Sequence, residues 1–215
     1  METREKILVA ATELFLRDGL KSVTMDDVAA RLGMSKRTIY ENFANKKELL
    51  TACVDYVSEE ARKKDEVIMA KAENVIDEIF MSFGGIDDKF NNRSRFIKDI
   101  QKYYPDIFEN NICSGFEKAQ SKFMNTLERG VAQGIISPDA NLDFVVFIIM
   151  ETLYNVLSRQ ETLLSKNVSI PDALQYVIIY FFRGISTEKG TKIMDTYIDK
   201  WIKGKTNIRI TTDNL

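Results

Sequence analysis

The sequence of 215 residues contains no histidine and only two cysteines, Cys53 and Cys113. Without histidine the chain cannot build a Ser-His-Asp triad or a His-ligated zinc site, and two cysteines are too few for a metal cluster held by four thiolates. The first residues alternate charged with apolar side chains, unlike a targeting signal, and two distant cysteines fit a reducing compartment. We therefore expect a cytoplasmic protein that is not an enzyme and uses no metal and no cofactor.

Long apolar runs and prolines are also scarce. The longest unbroken apolar run, Phe144 to Met150, has seven residues, whereas a membrane-spanning helix needs roughly 20, so we expect no membrane span. Only three prolines occur, and apolar residues recur at spacings of three and four along most of the chain. Because no Asn-Gly or Asp-Gly turn separates two alternating segments, the sequence predicts an all-α fold with about nine or ten helices.

Charge is unevenly distributed along the chain, although the net charge is only −2. Between residues 31 and 47 there are five basic residues and a single acidic one, Glu41. A local cluster of this sign is either an ordinary solvated surface or the contact region for a polyanionic partner. The spacing of the surrounding residues has to decide between the two.

Helix-boundary residues are frequent in the N-terminal part. We expect a first helix that Gly19 closes in a left-handed conformation, and a short second helix that Thr24 caps and Gly33 ends. Ser35 is placed to cap a third helix, and Asn45 to cap a fourth that begins KKELL. Two short helices joined at a glycine, with a serine cap on the second, are typical of a helix-turn-helix.

The candidate helix-turn-helix is the segment MDDVAARLGMSKRTIYENF, residues 25–43. Four apolar residues would pack against the first helix, namely Val28, Leu32, Ile39 and Phe43. The exposed side of the second helix then carries Lys36, Arg37, Thr38, Tyr40 and Glu41. A helix of this size fits the major groove of B-form DNA, which is roughly 12 Å wide.

Each residue type on this face has a chemical role in DNA binding. Arg37 can fork onto guanine O6 and N7, a contact worth about 1–3 kcal/mol of discrimination, and Lys36 can reach a base edge or a phosphate. The amide groups of the helices that start at Ser35 and Asn45 can hold phosphate oxygens. The remaining residues would bind the DNA backbone and fix register without reading sequence: Thr24, Thr38, Tyr40 and Lys46.

The first fifty residues resemble the DNA-binding domain of TetR-type (tetracycline-repressor-like) transcriptional regulators. The likeness comprises the opening helix ending at Gly19, Thr24 before the second helix, the GMSKRTIYENF segment and the KKELL start of the linking helix. It implies DNA contacts at Thr24, Ser35, Lys36, Arg37, Thr38, Tyr40 and Lys46. Many members of the family carry tyrosine or histidine directly after the tyrosine that corresponds to Tyr40. This chain instead has Glu41 and Asn42 there. A carboxylate facing DNA repels phosphate unless it accepts from cytosine N4, so the operator preference cannot be copied from a relative.

Three parts are predicted along the chain: a helix-turn-helix DNA-binding domain over residues 1–50, a helical ligand-sensing and dimerisation domain over 51–205, and a C-terminal tail over 206–215. Two long segments, residues 142–164 and 171–185, are apolar on more than one face. In TetR-type proteins the last two long helices form a four-helix bundle across a twofold axis, so the resemblance implies a homodimer through these segments. The alternative is a helix buried deeply within a monomer.

The middle of the chain is rich in aromatic residues and methionine, which line many small-molecule cavities between helices. Our candidates for ligand contact are Tyr103, Phe116 and Phe147, although aromatic residues at helical spacing are more often ordinary core. Glu151 and Asn155 form a polar pair one turn apart. This pair would either orient a ligand or lie at the dimer interface, and we favour the interface.

These patterns together predict a homodimeric transcriptional regulator, a repressor that leaves a palindromic operator when an apolar or aromatic small molecule binds. Two recognition helices about 34 Å apart would read the two half-sites. The alternative is a helix-turn-helix regulator that a protein partner controls, or that acts constitutively, with no small-molecule pocket. An enzyme is not supported, since the sequence shows no nucleophile-base arrangement, phosphate loop or metal set.

Overall fold

The computed structural model describes residues 2–84, 89–158 and 169–212, and these residues are almost entirely helical. The helices are α1 (Thr3–Asp18), α2 (Met25–Leu32), α3 (Lys36–Asn42), α4 (Lys46–Lys71), α5 (Val75–Gly84), α6 (Lys89–Tyr103), α7 (Pro105–Ile107), α8 (Ser114–Ala132), α9 (Leu142–Ser158), α10 (Ile170–Ile185) and α11 (Glu188–Thr212). A π turn, Phe108–Cys113, joins α7 to α8 without a break, so the described residues form ten continuous helical segments. The predicted all-α fold is confirmed. Within the described ranges, no helix is both long enough and apolar enough to cross a membrane.

The chain divides into two compact units. The first contains the described residues of 1–67 and 87–119, and the second those of 68–86 and 120–215. Compactness thus groups residues 1–50 with most of α4, with α6, α7 and the π turn, and with the start of α8. The domain boundary expected after residue 50 stays a prediction.

One hydrophobic core unites the helices of the first unit. Residues from α1, α2 and α3 form its centre, and Phe96, Ile100 and Ile107 from later in the chain join the same cluster. Its largest fully buried side chains include Phe15 and Phe43. The helix-turn-helix therefore rests on a core that is completed by residues about fifty positions beyond it.

Local hydrogen bonds at the helix ends confirm most of the predicted caps. The Ser35 hydroxyl accepts from the Thr38 N–H at 3.1 Å, and Asn45 Oδ1 accepts from the Glu48 N–H at 2.9 Å. Gly33 closes α2 in the left-handed conformation, with φ 62° and ψ 27°. The prediction for Gly19 was wrong in detail: it has positive φ, but its ψ of 157° lies outside the left-handed helical region, because the chain leaves α1 in an extended direction.

The second unit is a bundle in which α10 packs against α5, α9 and α11. Its core includes Ile149 from α9 together with Ile178 and Phe182 from α10. The described part of α9 ends at Ser158, so the rest of the predicted segment up to residue 164 lies outside the described residues.

The last helix is longer than the sequence predicted. We expected a tail over residues 206–215, whereas α11 continues to Thr212. No proline occurs after Pro171 to stop the helix. Residues 213–215 of the expected tail lie outside the described residues.

Candidate nucleic-acid interface

Burial fixes which side of α3 points away from the protein. Ile39 and Phe43 are 0% and 1% exposed, and Val28 of α2 is equally buried. Leu32 is half-buried and packs against the same core. The four apolar positions of the predicted helix-turn-helix thus lie inward, and the opposite side of α3 is open to solvent.

Arg37 and Glu41 occupy the centre of that open side. Because an α-helix turns by about 100° per residue, each lies about 160° around the helix from Ile39. The Arg37 side chain is 87% exposed and that of Glu41 is 57% exposed. Tyr40, on the flank of the same face, is half exposed.

Two of the predicted DNA-contact residues are helix caps whose hydroxyls form hydrogen bonds within the protein. Thr24 and Asp27 form a reciprocal capping box: the Thr24 hydroxyl accepts from the Asp27 N–H at 3.2 Å, and the Thr24 N–H donates to Asp27 Oδ2 at 2.7 Å. The Thr24 hydroxyl also donates to Asp27 Oδ2, at 2.6 Å. These bonds hold the pKa of the Asp27 carboxyl below its usual value, chiefly through the Thr24 hydroxyl. Ser35 shares its hydroxyl with the N–H and the hydroxyl of Thr38. The hydrogen bonds of these two hydroxyls fix the residues at which α2 and α3 begin.

Both cations of α3 are paired with carboxylates. Lys36 Nζ lies 2.5 Å from Asp26 Oδ2, and Arg37 Nε donates to Glu41 Oε1 at 2.8 Å. The hydrogen bond that Lys36 donates to Asp26 raises the pKa of Lys36. The two cations and their two partners leave this part of the face formally neutral. Asp26 was not identified from the sequence, since its partner lies on a different helix.

Lys46 is half-buried, as is Thr38, whereas the other five candidate contacts are exposed. Its ammonium donates to the carbonyl oxygen of Leu20 and lies 5.8 Å from the ring centroid of Phe15. Burial lowers the pKa of Lys46. This lysine therefore fixes the loop between α1 and α2 as well as standing at the start of α4.

Arg4 positions the far end of α3, and sequence analysis missed it. Its guanidinium donates to the Asn42 carbonyl and stacks on the Phe43 ring, 4.0 Å from the centroid. The first turn of α1 thus holds the last turn of α3. An arginine near the start of an amphipathic helix carries no sequence signal for such a role.

The end of α1 is held by α6. Arg95 donates to the carbonyls of Leu16 and Arg17, at 3.0 and 2.6 Å, and the Leu20 N–H donates to Asp99 Oδ2 at 3.3 Å. These bonds satisfy backbone groups that a helix end leaves open. Arg95 and Asp99, which lie much later in the chain, therefore hold the end of α1 in place.

The three candidate ligand contacts lie on the surface. Tyr103, Phe116 and Phe147 are 43%, 52% and 55% exposed, and Lys102 Nζ lies 5.1 Å from the Tyr103 ring centroid. A ligand cavity would enclose most of such a ring. Their assignment to a ligand stays a prediction.

Comparison with known proteins matches the first unit to a family of regulators. Residues 7–53 match the family described as bacterial regulatory proteins, tetR family. The chain is 24% identical over 156 residues to the transcriptional repressor KstR2 of Mycolicibacterium smegmatis, covering 70% of this chain and 76% of that protein. It is 43% identical over 67 residues to the transcriptional repressor TetR of Mycobacteroides abscessus, covering 31% of this chain and 34% of that protein.

Solved structures resemble the fold over most of the chain. A transcriptional regulator from Saccharomonospora viridis, in complex with choline, superposes with a TM-score of 0.74 at 17% identity, covering 86% of this chain and 98% of that one. A helix-turn-helix that presents arginine and lysine outward is typical of DNA-binding proteins. The family match over the same residues identifies a DNA-binding domain of the TetR type, and the chain is a DNA-binding transcriptional regulator.

Proposed function

We propose that the protein is a homodimeric repressor that places its two α3 helices in successive major grooves of a palindromic operator. The observation that carries this proposal is the open face of α3, where Arg37 lies opposite the buried Ile39 and Phe43. The proposed contacts to DNA remain Thr24, Ser35, Lys36, Arg37, Thr38, Tyr40 and Lys46. Two half-sites about 34 Å apart would suit a twofold dimer.

An exposed aromatic surface on α9 and α10 supports the dimer. Phe144 and Phe147 of α9 are 60% and 55% exposed, and Tyr180 of α10 is 69% exposed. Glu151 and Asn155 continue the stripe of Phe144 and Phe147 at spacings of three and four, and both are exposed. Apolar surface of this kind on one chain is typical of an interface. We therefore propose that Phe147, Glu151 and Asn155 lie at the dimer interface, which leaves Tyr103 and Phe116 as the proposed ligand contacts.

The proposed effector is an apolar or aromatic small molecule that acts through α6. Tyr103 lies on this helix one turn beyond Asp99, which binds the end of α1 together with Arg95. A ligand that displaces α6 would change how α1 and α3 are held, provided that it binds one arrangement more tightly than the other. The choline held by the Saccharomonospora viridis protein supports a small-molecule effector.

Operator binding is tested by selecting bound duplexes from a random DNA pool. We expect a palindrome, and we expect Arg37→Ala to weaken binding to it and to relax the preference at one position per half-site, by about 1–3 kcal/mol. Arg62→Ala is the matched control, because Arg62 is also an exposed, ion-paired arginine but lies on α4. Enrichment of no sequence, or equal effects of the two variants, would contradict the assigned face.

The effector is tested on the recovered operator. Titration with a steroid ketone and with a naphthalene derivative, followed by fluorescence polarisation of labelled duplex, should show release. If the protein stays bound to the duplex in the presence of both compounds, the result favours control by a protein partner, or constitutive binding in the cytoplasm.

A further inference from the structure

The centre of the open face of α3 holds a carboxylate. Glu41 lies as far around the helix from the buried Ile39 as Arg37 does, and its side chain is 57% exposed. In this position it would meet the floor of the major groove if α3 entered it. A carboxylate has only acceptor atoms, so it is repelled by phosphate oxygens and by the acceptors of guanine, N7 and O6.

The structure shows how Glu41 is accommodated in the free protein. Its Oε1 accepts from Arg37 Nε at 2.8 Å, across one turn of α3. This bond uses one edge of the guanidinium and leaves its remaining N–H groups available, since arginine has five donors. The ion pair thus holds a donor and an acceptor side by side on the same face.

Donor and acceptor side by side match a particular pair of bases. Arginine forks onto guanine O6 and N7, and a glutamate accepts from the N4 amine of cytosine. Among the major-groove atoms, cytosine offers its N4 amine as a donor, adenine offers its N6 amine beside an acceptor at N7, and guanine and thymine offer acceptors. A carboxylate is therefore best accommodated by cytosine.

We propose that Glu41 is a specificity-determining residue that reads a cytosine in each half-site, next to the guanine bound by Arg37. The inference rests on the proposed binding of α3 to an operator. On other DNA sequences, Glu41 keeps its ion pair with Arg37 and repels the phosphate groups, so it weakens binding to those sequences. The residue acts both by accepting from the correct base and by repelling the wrong ones.

The test compares wild type with Glu41→Gln by selection from a random duplex pool. Wild type should recover a fixed cytosine in each half-site. The variant should lose at least about 5-fold of the preference for cytosine, and adenine should rise there because glutamine pairs with adenine N6 and N7. Binding of the variant to non-operator DNA should tighten, with a salt slope steeper by about 0.9 for each Arg37 released to a phosphate.

Asp26→Asn is the matched control, because it removes the same charge from the neighbouring Lys36–Asp26 pair and leaves the sequence of α3 unchanged. It should tighten non-operator binding and leave the cytosine preference unchanged. If both variants recover the wild-type sequence with the same preference, Glu41 does not read a base and the inference fails while operator binding stands. If wild type enriches no sequence, operator binding and the inference fail together.

Discussion

Cys53 is the clearest case in which a single residue's surroundings set its chemistry. It lies in the core of the first unit with no exposed surface, and burial raises the pKa of its thiol to about 12. At pH 8 such a thiol is almost entirely protonated, and the thiolate is the reactive form. We expect Cys53 to resist iodoacetamide in the folded protein and to react at the rate of global unfolding, as measured by mass spectrometry.

The variant Cys113→Ser isolates this behaviour, because Cys113 is the other cysteine of the chain and is only half-buried. In this variant the native protein should show no rapidly modified thiol, and one equivalent should appear in denaturant. Rapid labelling without denaturant would mean that α4 leaves the core far more often than its burial implies. The same pKa shift predicts that stability falls above pH 9, where the unfolded chain loses the thiol proton and the folded chain keeps it.

Single residues divide into those that the sequence could assign and those that it could not. Ile39 and Phe43 were placed inward, and Ser35 at a helix start, because each depends on neighbours within four positions. Arg4 and Asp26 were missed because their partners lie on other helices. Their pairing is decided by how the helices pack, and a single sequence does not show that geometry.

At the scale of elements, the start of α11 is locked onto the loop between α8 and α9. The Thr187 hydroxyl donates to the Gly134 carbonyl at 2.7 Å, and the Thr187 N–H donates to the Ile135 carbonyl at 3.0 Å. Gly190 packs under that same Ile135 carbonyl, and a Cβ there would overlap its oxygen. We expect Gly190→Ala to lower the free energy of unfolding by about 1–3 kcal/mol, measured by urea denaturation.

Gly184→Ala provides the comparison, because Gly184 lies near the end of α10 with nothing within 4 Å of an added Cβ. Alanine is the better helix former, so this variant should be more stable than wild type by about 0.5–1 kcal/mol. Equal stability of the two variants would show that the Ile135 carbonyl moves aside freely.

Helix starts were easier to predict from the sequence than helix irregularities. Proline acts locally as a helix breaker, and α7 begins at Pro105, just after α6 ends at Tyr103. The π turn over Phe108–Cys113 was not predicted. It keeps the helix continuous while changing its register, and the apolar spacing of FENNIC does not distinguish it from an ordinary helix.

At the scale of the whole molecule, the proposed dimer predicts the effect of a charge on the aromatic stripe. Phe147→Glu places a carboxylate where two copies of α9 would meet, and burying an unpaired charge opposes association. We expect wild type to sediment as a dimer at low micromolar concentration and the variant as a monomer with weakened operator binding.

Phe116→Glu is the control for this experiment, because Phe116 is nearly as exposed as Phe147, at 52% against 55%, but lies on α8. It should remain dimeric. A monomeric wild type would remove the twofold arrangement altogether, and a dimeric Phe147→Glu would move the interface away from this stripe.

The hydrogen bonds between α6 and the end of α1 affect how DNA-binding domains can be exchanged between regulators. Phe96 and Ile100 fill the same core as Phe15, while Arg95 binds the Leu16 and Arg17 carbonyls. A chimera joined anywhere along α4 would lack α6. Its core would be incomplete, and the Leu16 and Arg17 carbonyls would lose the hydrogen bonds from Arg95. The transferable DNA-binding unit of this chain is therefore discontinuous in sequence. The amino-terminal helices have to be moved together with α6.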